Sequence, residues 1–146
     1  MRGGDLIVLA ARPNVGKSAF ALNIATNAAK SGAAVVYFSM EILAYHVKQC
    51  ILCSEARVSL NRVRRGNLQE DERNAIINAA DALSGLELHI DDTFGHSLLE
   101  MRAKVRRQLR DKKKGSLSST TCNLWSRRYA VPMPIPSFGV LKFRVV

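Results

Sequence analysis

Two short apolar runs near the start of the chain predict buried strands. Residues 6–10 read Leu-Ile-Val-Leu-Ala, and residues 33–39 read Ala-Ala-Val-Val-Tyr-Phe-Ser, which is typical of strands inside a parallel sheet. Between them, residues 17–30 place apolar side chains at helical spacing, and Gly32 follows as a helix stop. This strand, helix and strand predict a βαβ unit, and therefore an α/β fold with a mostly parallel sheet.

Further helices and one more strand follow. Residues 42–56, 60–64 and 69–83 have the pattern of helices, and residues 86–90 that of a short strand. Ser97, with Glu100 three residues later, has the capping-box sequence that begins a helix, which we expect to run to about residue 110. The whole pattern predicts a sheet with flanking helices.

After Gly115 the pattern fails. Residues 116–121 are almost all hydroxyl residues, and Pro132, Pro134 and Pro136 alternate, which forbids a helix or a central strand at those positions. The apolar residues near the end show no clear period. We therefore predict that residues 1–115 are one partial domain and that residues 116–146 are irregular or disordered and not a domain.

Charge adds a second possible function. The chain has a formal net charge of +10, and residues 115–146 contain four basic and no acidic residues. A strongly basic chain can bind nucleic acid through the phosphates. A solvated basic face explains the same charge, so both interpretations remain open.

Cysteine content and hydropathy indicate a reducing, cytoplasmic location. Cys50 and Cys53 form a C-x-x-C pair, but no second pair completes a zinc site, and we expect a reduced, partly buried pair. No stretch of 18 apolar residues and no signal-peptide pattern is present, so we expect no membrane span.

The segment 11–18 has the sequence of a phosphate-binding loop. It reads Ala-Arg-Pro-Asn-Val-Gly-Lys-Ser and departs from G-x-x-x-x-G-K-[ST] only at Ala11. Gly16 lets the backbone approach phosphates, Lys17 supplies a charge for the β and γ phosphates, and the Ser18 hydroxyl can ligate Mg²⁺. A turn that only caps the helix is the alternative. The predicted nucleotide-binding residues are Ala11, Arg12, Pro13, Asn14, Val15, Gly16, Lys17, Ser18 and Ala19.

Three carboxylates follow predicted strands. Glu41 comes just after residues 33–39, at the strand end that faces the ligand crevice in an open α/β sheet. It can orient or deprotonate the attacking water, although a Glu that only starts a helix explains its position as well. Asp91 and Asp92 follow residues 86–90 in a weak Walker B pattern, and the alternative is a cap on the turn before Ser97.

These motifs together resemble the ATPase domain of the replicative helicase DnaB. The resemblance rests on Ala-Arg-Pro in the loop and Ala-Phe-Ala-Leu-Asn-Ile-Ala after it, on Tyr-Phe-Ser-Met-Glu at 37–41, and on 65–68, 90–93 and 100–102. It covers about residues 3–115 and implies an incomplete RecA-like P-loop NTPase that uses ATP and Mg²⁺. The chain departs at His46 and Cys50, where the family usually has Gln and Arg.

The resemblance also assigns roles. Glu41 corresponds to the family's catalytic glutamate, and Lys17 to its loop lysine. Asp91 and Asp92 fall on an earlier strand than the Walker B aspartate, so Ser18 alone is assigned to the metal. The intact family implies a homohexamer that moves on single-stranded DNA and unwinds a duplex. Its Walker B strand, DNA-contacting loops and arginine finger would follow Gly115, so we expect this chain to be inactive alone.

The genetic code suggests why the resemblance stops. Residues 118–125 read Ser-Ser-Thr-Thr-Cys-Asn-Leu-Trp, for which TCA TCG ACT ACC TGC AAC TTA TGG is one codon choice. Read from its third base, that DNA encodes Ile-Asp-Tyr-Leu-Gln-Leu-Met, the family's Walker B strand. The hypothesis is a frameshift near Gly115 that left an out-of-frame tail.

Two other functions stay as alternatives. One is a different RecA-like ATPase, such as a recombinase or a clock-type ATPase, which would lack the Ala-Arg-Pro context of the loop. The other is a non-catalytic basic fragment that binds nucleic acid by charge alone.

Overall fold

The structure, a computed structural model, describes residues 6–12, 14–109, 116–122 and 139–145. The strand–helix–strand unit and the elements predicted between residues 42 and 110 are confirmed, although the second helix begins at Ala44 rather than at residue 42. The elements in chain order are β1 (Leu6–Ala11), α1 (Lys17–Lys30), β2 (Ala34–Ser39), α2 (Ala44–Ala56), α3 (Leu60–Arg65), α4 (Glu70–Ser84), β3 (Leu88–Asp91), α5 (Leu98–Leu109), β4 (Ser116–Cys122) and β5 (Gly139–Val145).

The described strands form one sheet in the order β1-β5-β4-β2-β3. β4 and β3 pair parallel with β2, while β5 pairs antiparallel with both β1 and β4. It follows that β1, β4, β2 and β3 all run in one direction and that β5 opposes them. The prediction of a mostly parallel sheet is therefore confirmed, and the carboxyl ends of β1 and β2 lie at the same edge.

Residues 116–146 are not irregular throughout, so that part of the prediction was wrong. Residues 116–122 form β4 beside β2, and residues 139–145 form β5 beside β1. β1 is paired along its whole length, from Leu6↔Arg144 to Ala11↔Gly139. The physical reason is that backbone N–H and C=O groups need partners whatever the side-chain pattern is. The alternating prolines, at 132–136, lie outside the described residues.

Strand β2 lies at the centre of the core, and its two faces pack against different helices. All six of its residues are buried. Val35 and Tyr37 belong to a cluster with apolar residues of α1 and α2. Val36 and Phe38 point to the opposite face and pack with Met101 of α5. The sheet therefore lies between two helical layers, as successive side chains of a strand alternate between its faces.

Candidate phosphate-binding site

The predicted loop directly follows strand β1. β1 ends at Ala11, Arg12 follows exposed, and Pro13 lies outside the described residues. The Val15 N–H donates to the Arg12 carbonyl at 3.4 Å, which closes a turn. Asn14 has φ 63° and Gly16 has φ 91°, and Asn and Gly are the residues that accept this left-handed region most readily. The loop sequence therefore matches the backbone that it has to adopt.

The loop ends at a helix N-terminus that suits an anion. Gly16 is the N-cap of α1, and in the described part of the chain no side chain caps this end and no acidic residue lies in its first turn. The Phe20 N–H donates to the Gly16 carbonyl at 2.9 Å, which is the first helical bond. The first N–H groups of an α-helix find no acceptor within the helix itself and carry its positive dipole end. Phosphate oxygens are suitable partners for them.

Two functional side chains begin α1. Lys17 and Ser18 are its first two residues, and both are half-buried. Their place beside the loop N–H groups fits a lysine charge and a hydroxyl ligand close to bound phosphates. Ala19, Asn14 and Val15 are exposed around them. The structure thus brings together all the loop residues that it describes.

Glu41 lies at the same sheet edge but three strands away. The strand registers align Leu9, Leu141, Thr121 and Ser39 in one row across the sheet. Glu41 comes two residues after Ser39 and is exposed, level with Ala11, which comes two residues after Leu9. Three interstrand spacings separate β1 from β2 by about 14 Å. Glu41 and the loop therefore lie at the same edge of the sheet, on different strands.

Asp91 caps its own turn, as the alternative interpretation expected. One carboxylate oxygen accepts from the Thr93 N–H at 3.1 Å and from the Thr93 hydroxyl at 2.7 Å, and the other accepts from the Lys104 ammonium at 2.5 Å. Burial by itself raises the pKa of Asp91, but the hydrogen bonds from Lys104 and Thr93 outweigh it and hold that pKa well below its usual value.

The low pKa of Asp91 predicts an acid-dependent stability. A depressed folded-state pKa contributes stability that is present above the usual value of 3.8 and lost as the pH falls below it. We expect Lys104→Met to raise the pKa of Asp91. The free energy of unfolding of this variant should therefore fall less between about pH 7 and pH 3 than that of the unmodified chain. Urea unfolding at both pH values measures this. Arg102→Met, exposed on the same helix, is the control, and an equal effect in both variants would contradict the assignment.

Asp92 makes a contact that local sequence reasoning missed. Its Oδ2 accepts a hydrogen bond from the backbone N–H of Ala44 at 2.8 Å, across 48 residues of sequence. No local signal predicts such a pairing. His96 likewise has no role in the sequence pattern, yet its Nε2 lies 2.7 Å from the Lys104 ammonium.

The residues present fit phosphates better than they fit a metal ion. Ser18 is the side chain that the loop sequence assigns to Mg²⁺, while β4, which pairs with β2 on the side towards β1, contains no carboxylate. Among the residues that the structure describes, no group of three His, Cys, Asp or Glu is arranged to hold a metal ion.

The C-x-x-C pair lies on α2. Cys53 is buried and Cys50 half-buried, so the predicted partial burial of the pair is confirmed, and both are free cysteines. Burial, and then the neighbouring Cys50, raise the pKa of Cys53. His46, the other departure on this helix, is half-buried beside Tyr45, with ring centroids 5.7 Å apart.

Gly16→Ala tests the loop backbone. A Cβ at Gly16 would meet no atom within 4 Å, so its φ of 91° is the obstacle. We expect the substitution to lower the free energy of unfolding by about 1–2 kcal/mol. Gly85→Ala is the control, because Gly85 also has free space around it and has φ −85°; it should add about 0.4–1 kcal/mol. Equal changes in urea unfolding would refute the backbone explanation.

No helix in the described ranges has the length and apolar character needed to cross a bilayer.

Comparison with known proteins points to one family. Residues 1–118 match the model of the DnaB-like helicase C terminal domain. The chain is 45% identical over 104 residues to "Replicative DNA helicase DnaC" of Bacillus subtilis, covering 70% of this chain and 23% of that protein. It is 40% identical over 122 residues to "Replicative DNA helicase DnaB" of Synechocystis, covering 80% of this chain and 14% of that protein. The chain thus spans less than a quarter of the length of these curated relatives.

A solved structure supports the fold. A solved ATPase domain superposes with a TM-score of 0.65 at 26% identity, covering 73% of this chain and 38% of that one. The expected RecA-like fold is therefore confirmed.

Proposed function

Because the chain belongs to the family of DnaB-like helicase C-terminal domains, we propose that it is the ATP-binding part of a replicative DNA helicase, an enzyme that unwinds DNA during replication at the expense of ATP. The observation that carries the proposal is the N-terminus of α1. It has no side-chain cap and no acid in its first turn, and its N-cap is a glycine with φ 91° in the loop that follows β1, a strand that is half-exposed and not buried as predicted. A helix end built in this way favours a phosphate.

The loop residues divide the binding of MgATP among them. The N–H groups from Asn14 to Ala19 surround the phosphates, and Lys17 places its charge on the β and γ phosphates. Ser18 supplies the one side-chain ligand for Mg²⁺, which when bound would neutralise phosphate charge. Ala11, Arg12 and Pro13 lead the strand into the loop.

Glu41 has the catalytic role. It is exposed at the carboxyl end of β2, at the same sheet edge as Lys17, where a carboxylate can orient the water that attacks the γ-phosphate. Glu41 and Lys17 are thus the catalytic residues in this proposal.

We propose that this chain binds MgATP but does not unwind DNA alone. The Walker B position expected after Gly115 holds β4, which has no carboxylate, so the metal lacks its second protein ligand. Single-stranded DNA and a homohexamer are the partners of the intact enzyme. The free thiols of Cys50 and Cys53 suit the reducing cytoplasm. The frameshift near Gly115 remains our explanation for residues 116–146.

A basic nucleic-acid-binding fragment is the second candidate. The net charge of +10 favours it, as do Arg64 and Arg65 exposed at the end of α3. Binding by charge alone would fall steeply with salt and would not change in Lys17→Ala.

The proposal is tested by calorimetric titration of the chain with MgADP and with MgADP plus aluminium fluoride, which imitates the transferred phosphate. We expect saturable binding of both. Glu41→Gln should leave the MgADP affinity unchanged and weaken the fluoride complex about tenfold or more, because a group that acts on the transition state is felt mainly by its analogue. Absence of MgADP binding by the folded chain would overturn the nucleotide site.

A further inference from the structure

The segment that carries Glu41 has little regular structure of its own. We call residues 40–43, between β2 and α2, the Glu41 loop. They form bends and then the N-cap, Leu43, of the next helix. The apolar side chain of Leu43 cannot accept a hydrogen bond from the first N–H groups of α2, so the N-cap residue does not cap this helix. A loop of this kind needs outside contacts to hold one conformation.

One such contact is made by Ser39, the last residue of β2. The Ser39 hydroxyl, on a residue that is buried in β2, donates to the Ile42 carbonyl at 2.5 Å. This bond spans Glu41 and fixes the bend that carries it. Hydroxyl-to-backbone bonds of this range are a common way to stabilise a turn.

The second contact comes from far along the chain. The Ala44 N–H, the first of α2, donates to Asp92 Oδ2 at 2.8 Å in a partly buried position. It is one of the N–H groups that a helix cannot satisfy itself, and a carboxylate there also interacts favourably with the helix dipole. Asp92 therefore serves as the cap that Leu43 cannot provide.

The sheet explains how Asp92 reaches this place. β3 pairs parallel with β2, with Phe38 opposite Asp91, so Asp92 follows β3 level with Ser39. The neighbouring Asp91 is bound by Thr93 and Lys104, which holds the end of β3. Asp92 is thus presented to the Glu41 loop by a strand that is itself held in place.

We propose that Asp92 is a positioning residue for Glu41: its hydrogen bond to the Ala44 N–H, together with the Ser39–Ile42 bond, holds the Glu41 loop in one conformation at the sheet edge that it shares with the predicted phosphate-binding loop. The inference rests on the proposed catalytic role of Glu41. Asp92 acts through the backbone and takes no part in proton or phosphoryl transfer.

Amide hydrogen exchange measured by NMR on the full chain tests the contact directly. Asp92→Ala should speed exchange of the Ala44 amide about tenfold, the usual consequence of losing a helix cap. Asp92→Asn should restore most of the protection, because its amide oxygen still accepts. Asp81→Ala, at an exposed aspartate of α4, is the matched control and should leave Ala44 unchanged. If Asp92→Ala loses its helical circular dichroism, the same exchange experiment is made with Asp92→Glu, in which the carboxylate is displaced by one methylene.

The same variants test the consequence for the site. Asp92→Ala should weaken binding of the MgADP–aluminium fluoride complex several-fold without changing MgADP affinity, and Asp92→Asn should recover it. A purely structural role would weaken both ligands together or neither. The proposal is overturned if Ala44 exchange does not respond to Asp92→Ala, or if Glu41→Gln weakens the fluoride complex while Asp92→Ala does not. If Glu41→Gln itself has no effect, the proposed role of Glu41 fails, and the positioning role fails with it.

Discussion

Lys17→Ala is expected to raise the dissociation constant of MgATP by about 10- to 100-fold, the range for losing a hydrogen bond to a charged group. Lys17 is half-buried as the first residue of α1, where its charge adds to that of the helix dipole. Because no acidic residue lies in that turn, the substitution removes the only side-chain charge there. Calorimetric titration with MgATP measures the effect.

Lys30→Ala is the matched control for this prediction. Lys30 is the last residue of the same helix, and its substitution removes the same charge. It forms an ion pair with Glu55 at 2.6 Å, at the helix end away from the loop. We expect its MgATP affinity to equal that of the unmodified chain. Equal weakening in both variants would mean that net charge, and not the loop, attracts the nucleotide.

Phe38→Ala is expected to lower the free energy of unfolding by about 3–5 kcal/mol, the usual cost of removing a buried aromatic side chain. Phe38 is 2% exposed and packs with Val36 and Met101 between the sheet and α5. Domains of this size are stabilised by only about 5–15 kcal/mol. The variant should therefore unfold at much lower urea concentration.

The control for Phe38 is Phe94→Ala. Phe94 is 61% exposed, and its removal should change stability by less than about 0.5 kcal/mol. A loss below about 1 kcal/mol in Phe38→Ala would show that α5 does not pack on β2 as described, because a filled site cannot lose a phenyl ring so cheaply.

Part of the site could be read from the sequence because its chemistry is local. The order strand, Asn14, Gly16, Lys17 and helix needs only neighbouring residues, since positive φ and the helix start are decided within one turn. The capping box at Ser97 and Glu100 is local as well, and its two bonds are present at 2.8 and 3.3 Å. Glu41 was predicted in the same way, as a carboxylate just after a buried strand.

What could not be read depends on contacts between distant residues. The sequence around Asp92 suggests two roles for it, a metal ligand and a turn cap. Its actual partner, the Ala44 N–H, belongs to neither, because it is decided by the pairing of β3 with β2 and not by nearby residues.

By itself, the sequence determined the family, the phosphate loop and the elements between residues 6 and 109, because apolar periodicity and turn chemistry act over a few residues. Only the tertiary structure decided that residues 116–122 and 139–145 complete the sheet between β1 and β2, and that Asp92 reaches the Glu41 loop. Strand pairing forms hydrogen bonds between backbone N–H and C=O groups, and every residue except proline has both. It therefore leaves little trace in the side-chain pattern. The loop after β1 is thus local in origin, while its place relative to the Glu41 loop is decided by the sheet as a whole.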